Sequence, residues 1–333
     1  MMPTIKAKGR SVAAFLVTLK ESNAPVLPCE LVGIRTKSLA CVLTAVTLCC
    51  GTVACSSDSG DAPQAAEVTV PGVSVSLEQV GQAPREPLVW FSDESEQQVL
   101  FSATQGLEQE TKGEGAERQA ESLPYDEVTM ELPLVAQAST DGEERTSTVT
   151  VGKPSGTNAE RNEDIASAEG FTMTTTQSND GRAKSRTFQA PEAATDSARA
   201  SVETALTQMN DFPLVFPTEP IGPGAQWTVA NRVEEGVSML QEVTYTLMER
   251  QGQAVSLKVE VQRKPAVTSL SDTDLEVMDI SSTSSGQLHL DLNLAVPVRG
   301  NIDVTTTVTY GKEDSPVRVL QTSTSKSTWA PRG

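Results

Sequence analysis

His289 is the only histidine in 333 residues, so imidazole acid–base chemistry and imidazole metal ligation rest on one side chain. It sits between Leu288 and Leu290 and, in an extended chain, shares a face with Gln287 and Asp291. An i, i+2 polar pair with Asp291 is one reading; a satisfied surface histidine is the simpler and favoured one. A serine hydrolase needs a serine, a histidine and an acid gathered around an oxyanion hole, and no Gly-x-Ser-x-Gly elbow occurs. Gly222-Pro223-Gly224 has the outline of a phosphate loop, but it lacks the following Lys-Ser/Thr and leads into a strand. No helix N-terminus would then face an anion, and a structural turn is expected. The run Ser271-Asp272-Thr273-Asp274-Leu275-Glu276 offers oxygens of the kind a hard cation takes. It lacks the glycine and ligand spacing of a calcium loop, so a solvated loop is expected. These residues point to no enzyme, no metal site and no cofactor.

The five cysteines stand at 29, 41, 49, 50 and 55. The residues after Cys55 therefore have no disulfide framework and no thiolate metal site. Arg35 and Lys37 precede Ser38–Ala54, an uncharged stretch ending in small residues, which is the layout of a secretory signal. Val53-Ala54-Cys55-Ser56-Ser57 resembles the lipobox of bacterial lipoproteins, with Thr52 where an aliphatic residue is usual. Cys49 and Cys50 do not fit, because Leu48 and Cys49 would take the small-residue position. The resemblance implies that the Cys55 thiol carries diacylglycerol and that the chain is cut just before it. Two acyl chains suffice for stable attachment. Residues 32–54 are then the signal peptide, 55–67 a tether rich in Ser, Asp, Gly, Pro and Ala, and 1–31 an upstream extension if translation begins near Val32. The expected place is the outer face of the cytoplasmic membrane, in the cell envelope.

Residues 1–54 hold six basic and two acidic side chains, which leaves 20 basic and 42 acidic residues from Cys55 onward, a charge of −22. A surface that acidic repels nucleic acid and anionic lipid head groups. Nucleic acid is excluded as a partner. The expected partners are the membrane, through the diacylglycerol anchor, and a lipid or an envelope protein.

Residues 68–333 read as one β-rich domain. Leu88–Phe91 and Gln98–Ser102 are apolar and aromatic, Leu107–Ser122 is charged and aperiodic, and Val128–Ala136 and Thr146–Val151 flank an Asp141-Gly142 turn. Phe171–Thr176 and Ala183–Phe188 flank Asn179-Asp180-Gly181, whose residues tolerate a tight turn, so a hairpin is expected. In Ser197–Asn210 the residues Ala198, Val202, Ala205, Leu206 and Met209 form one helical stripe, with Thr195 or Asp196 as cap. Over 225–330 apolar residues alternate through Val243–Leu247, Val255–Val261, Leu288–Val296 and Ile302–Tyr310. That period means antiparallel strands with one buried face, with Gly252 and Gly300 placed at turns.

Pro213-Leu-Val-Phe216-Pro-Thr-Glu-Pro-Ile-Gly-Pro-Gly-Ala-Gln-Trp227 and the later Gly286-Gln-Leu-His-Leu-Asp291-Leu292 resemble a recurring element of uncharacterised, corynebacterial-type actinobacterial lipoproteins. The likeness covers roughly residues 190–330 and implies no activity. In architecture the chain is also similar to half-barrel envelope lipid carriers, including mycobacterial glycolipid-carrying lipoproteins, which hold acyl chains between sheet and helices. The fold expected is mainly β with one or two helices: an antiparallel curved sheet, a half-barrel or open barrel, packed on the amphipathic helix. Phe212, Phe216 and Trp227 bracket the Pro-rich crossing and either rim an opening for an apolar ligand or plug the sheet as core. A lipid-binding envelope protein and a closed structural module both fit this pattern.

Overall fold

The computed structural model describes residues 65–113, 127–235, 237–266, 269 and 275–332. Ala62–Gly333 forms one unit. Its described strands are β1 (Ala66–Val68), β2 (Ser74–Gln79), β3 (Gln97–Lys112), β4 (Val128–Asp141), β5 (Glu144–Val151), β6 (Ser155–Gly156) and β7 (Thr172–Ser178). There follow β8 (Ala183–Gln189), β9 (Gln226–Glu235), β10 (Val237–Gln251), β11 (Ala254–Pro265), β12 (Glu276–Asp291), β13 (Arg299–Gly311) and β14 (Arg318–Pro331). A single-turn helix α1 (Asn162–Ile165) and the longer α2 (Asp196–Met209) complete the set.

All strands join one antiparallel sheet in the order β1-β8-β7-β5-β4-β3-β14-β13-β12-β11-β10-β9-β2, with β6 beside β4. Laid flat, thirteen strands at their usual spacing would span about 57 Å. Yet the two outermost strands, β1 and β2, are joined by only Thr69–Val73, a step that reaches no more than about 22 Å. The sheet must therefore curl until its two edges approach. It stays open, because β1 pairs with β8 and β2 with β9 rather than with each other. The expected curved, open antiparallel sheet is the observed one.

Helix α2 lies inside the curl. Thr195 Oγ1 accepts from the Ala198 amide at 3.1 Å, the expected cap, and satisfies one of the donors every helix start leaves open. Its stripe of Ala198, Val202, Ala205, Leu206 and Met209 is buried. Gln208 is buried with it, its Nε2 donating to the carbonyls of Thr104 (3.3 Å) and Lys326 (3.0 Å). Those bonds fix the helix on β3 and β14, the middle of the sheet.

Several sequence expectations change. Leu107–Lys112 is not loop: it continues β3 and pairs with Arg318–Ser323 of β14. Both faces there are polar or exposed, so no apolar alternation marks the strand. Leu88–Phe91 is extended but joins no strand ladder; the Trp90 amide donates to Asn179 and the Phe91 amide to Leu292, and Leu88 and Trp90 are buried. Strand β12 ends at Asp291, and Leu292–Val298 forms a loop in which Leu292 and Val296 still reach the core. Gly252 turns the β10–β11 hairpin as expected, whereas Gly300 lies within β13, opposite Leu288. A Cβ at Gly300 would sit 2.2 Å from the Gln287 carbonyl oxygen, so glycine serves close approach, not a turn. Pro133 stands inside β4, and its carbonyl accepts from Gly152 just past the end of β5. Its ring nitrogen faces that same side, where the ladder has stopped, so no donor is missed.

Candidate ligand cavity

Between the inner face of the sheet and the C-terminal end of α2 lies a cavity of about 410 Å³. Its lining runs from exposed Thr69, Pro71 and Gly72, on the link between the sheet edges, to buried Leu288, Ile302 and Trp329. Strands β5, β7 and β8 supply one wall through alternate residues such as Val149, Met173 and Phe188. The turn after α2, Asn210–Val215, supplies the other. The volume falls within the range of small-molecule sites, about 300–1,000 Å³.

The charged residues in this lining are Arg145, Arg182, Arg186, Arg232 and Asp211. Arg232 stands in the outward phase of β9, alternating with buried Val229 and Val233, and donates to Ser238 Oγ at 3.2 Å, while Arg182 pairs with Asp180 at 3.7 Å. Arg145 stands in β5 in phase with Ser147, Val149 and Val151, the inward-facing set, and is 1 % exposed. Its Nε donates to the Phe91 carbonyl at 2.8 Å, its Nη2 to the Leu294 carbonyl at 2.7 Å, and its guanidinium carbon lies 5.1 Å from the Trp90 ring centre. No carboxylate among the described residues pairs with it. Burial alone pulls its pKa down to about 10. Arg186, in β8 and in phase with Phe188, donates to Thr175 Oγ1 at 3.2 Å. Burial likewise pulls it down to about 10, opposed by the nearby charge of Asp211. Both arginines thus stay charged at neutral pH. Arg182, in the β7–β8 turn, donates to the Val73 carbonyl at 2.7 Å and holds the link between the sheet edges. Sequence reading missed this group, although Arg145 and Arg186 each break an inward apolar phase, the one local signal available.

Of the aromatics flanking the Pro-rich crossing, Phe212 lines the cavity, while Phe216 and Trp227 are buried outside its lining. Trp90, Phe216, Trp227 and Tyr245 form a chain of rings with successive centroid distances of 5.3, 6.2 and 5.5 Å. The crossing is pinned to it: Trp227 Nε1 donates to the Val215 carbonyl at 2.9 Å and the Tyr245 hydroxyl to Pro213 at 3.0 Å. Ring pairs of this kind each add about 0.5–1.5 kcal/mol beyond area burial.

His289 Nδ1 lies 3.0 Å from Ser256 Oγ, its cross-strand partner on β11, while Asp291 Oδ1 accepts from the Asn293 amide at 3.0 Å. The histidine and the aspartate therefore turn to different partners rather than to each other. In Gly222-Pro223-Gly224 the Gly222 amide donates to Val80 and the Gly224 amide to Leu247, so neither amide is offered to a phosphate. Asp272 and Asp274, like Cys55 and the signal segment, lie outside the described residues.

Residues 197–296 match a family of unknown function, DUF6263; no curated protein matches the chain. The matched segment runs from α2 through the crossing and β9–β12 to the loop at Val296. It contains Phe212 and Arg232 of the cavity, whereas Arg145, Arg182 and Arg186 lie outside it.

Proposed function

We propose that the protein is a lipoprotein of the cell envelope, tethered through Cys55, that binds an apolar or amphipathic molecule between its curved sheet and α2. The observation that carries the binding half is the cavity of about 410 Å³ beside the helix. A purely structural module gains nothing from an unfilled interior, since every void forfeits packing contacts. The anchoring half is supported by the small-residue approach to Cys55 and by the absence of cysteine afterward. On this reading the acidic exterior keeps the body off anionic lipid surfaces while the tether keeps it nearby.

Native mass spectrometry of the protein purified from its own host tests the binding reading. A copurifying small molecule at near-stoichiometric occupancy is expected. A bare polypeptide mass from gently extracted membranes would favour a closed interaction module instead.

A further inference from the structure

We propose that the cavity takes a single-chain anionic amphiphile, with its head group among the arginines and its chain on the apolar floor. This rests on the cavity being a ligand site and specifies the ligand's chemistry. The first argument is a reversal of charge: the residues from Cys55 onward carry −22, while the inward-facing charged side chains of the lining are Arg145 and Arg186 against Asp211, with Arg182 paired to Asp180 at the mouth. The C-terminal turn of α2 adds only about half a negative charge at this wall, so the interior remains positive. The second is the state of Arg145. It is buried, has two backbone carbonyls as partners and no carboxylate, an arrangement that leaves its full charge for an incoming anion. The third is depth. Arg182 sits exposed in the β7–β8 turn, Arg186 half-buried and Arg145 buried, so guanidinium groups stand at three depths of the lining.

The floor decides against a polyanion. Met173, Phe188, Leu288 and Ile302 offer no polar group and Trp329 a single unpartnered N–H, so a second or third charged group would be desolvated with little to pair with. A neutral lipid would leave the guanidinium charges facing alkane, and a cationic one would be repelled. Size decides between one chain and two. At about 410 Å³ the cavity lies toward the lower end of small-molecule sites, which suits one chain of medium length. Arginine forks fit carboxylate and phosphate heads alike.

The full chain in membranes of its own host can be photolabelled with diazirine-bearing twelve-carbon probes ending in carboxylate, phosphate, alcohol or trimethylammonium. The two anions are expected to label peptides of β5, β7, β8 and the 210–215 turn saturably, at concentrations at least tenfold below the alcohol; a tighter carboxylate or phosphate identifies the head. Arg186→Gln should raise the half-saturating anion concentration about tenfold and leave the alcohol unchanged. Arg182→Gln, at the exposed mouth, should raise it at least threefold and serves if Arg186→Gln folds poorly. Equal labelling by all four probes, or anion labelling indifferent to both substitutions, overturns the anionic assignment while leaving a ligand cavity. Labelling of no lining peptide by any probe overturns the binding reading itself.

Discussion

The guanidinium of Arg145 stacks 5.1 Å from the Trp90 ring centre and joins two segments far apart in sequence, donating to Phe91 and to Leu294. Neither segment is a strand, and each needs an external partner for its carbonyls. Gln97 performs the companion task, its Oε1 accepting from the Val296 amide at 3.1 Å and its Nε2 donating to the Val296 carbonyl at 3.0 Å. One inward-pointing arginine thus supports the cavity wall and faces the cavity.

Arg145→Met should destabilise the domain by about 2–4 kcal/mol, since two buried carbonyls lose a charged donor. Arg145→Lys should recover only a small part, because an ammonium cannot span both carbonyls in one plane. Denaturant midpoints measure the loss, and hydrogen exchange should localise it to 87–96 and 292–298. Uniform exchange across the sheet would contradict the stapling role.

Gly142 isolates backbone strain, and Gly300 adds steric conflict to it. Gly142 has φ +62° and open space around it, whereas a Cβ on Gly300, at φ +143°, meets the Gln287 oxygen at 2.2 Å. Gly142→Ala should cost about 1–2 kcal/mol. Gly300→Ala should cost more than about 3 kcal/mol, because two paired strands must part. Thermal unfolding of the two variants checks the order.

Tyr245 is fully buried, and burial drives its phenol far above the usual range; Tyr310 is raised for the same reason. Tyr245 stays neutral when folded while the unfolded chain ionises near pH 10. Its stabilisation is therefore complete below pH 10 and is lost as pH rises beyond it, by about 1.4 kcal/mol per unit; Tyr310 contributes in the same direction. Tyr245→Phe should flatten that slope and cost about 1 kcal/mol at neutral pH through the lost bond to Pro213. Denaturant unfolding between pH 8 and 11 gives both figures. An unchanged slope in the variant would show that Tyr245 ionises in the native state.

Cys55→Ala should abolish metabolic labelling by fatty acid and move the protein out of the membrane fraction, or leave an unprocessed precursor. Full membrane retention with normal processing would refute anchoring through this thiol.

The strand runs Val243–Leu247, Val255–Val261, Leu288–Asp291 and Ile302–Tyr310, the Asn179-Asp180-Gly181 hairpin and α2 with its Thr195 cap were legible because each is a local matter of side-chain period or backbone preference, whereas β14, with little apolar alternation, was not. The open curvature was legible only as a class. Where pairing outran the apolar pattern, as in Leu107–Lys112 and Glu276–Gln287, the backbone ladder alone made the strand. Where apolar residues lay outside the ladder, as at Leu88–Trp90 and Leu292–Val296, burial came from the core they cover.

By itself, then, the sequence determined the alternation that makes a one-sided sheet, the helix that must cover it, and the acidic surface. Only the tertiary structure decided that β1 and β2 are joined across five residues and that Arg145, Arg186 and Asp211 line one space. Strand order and register bring such residues together over separations of tens of residues, and no local periodicity records which strands will be neighbours.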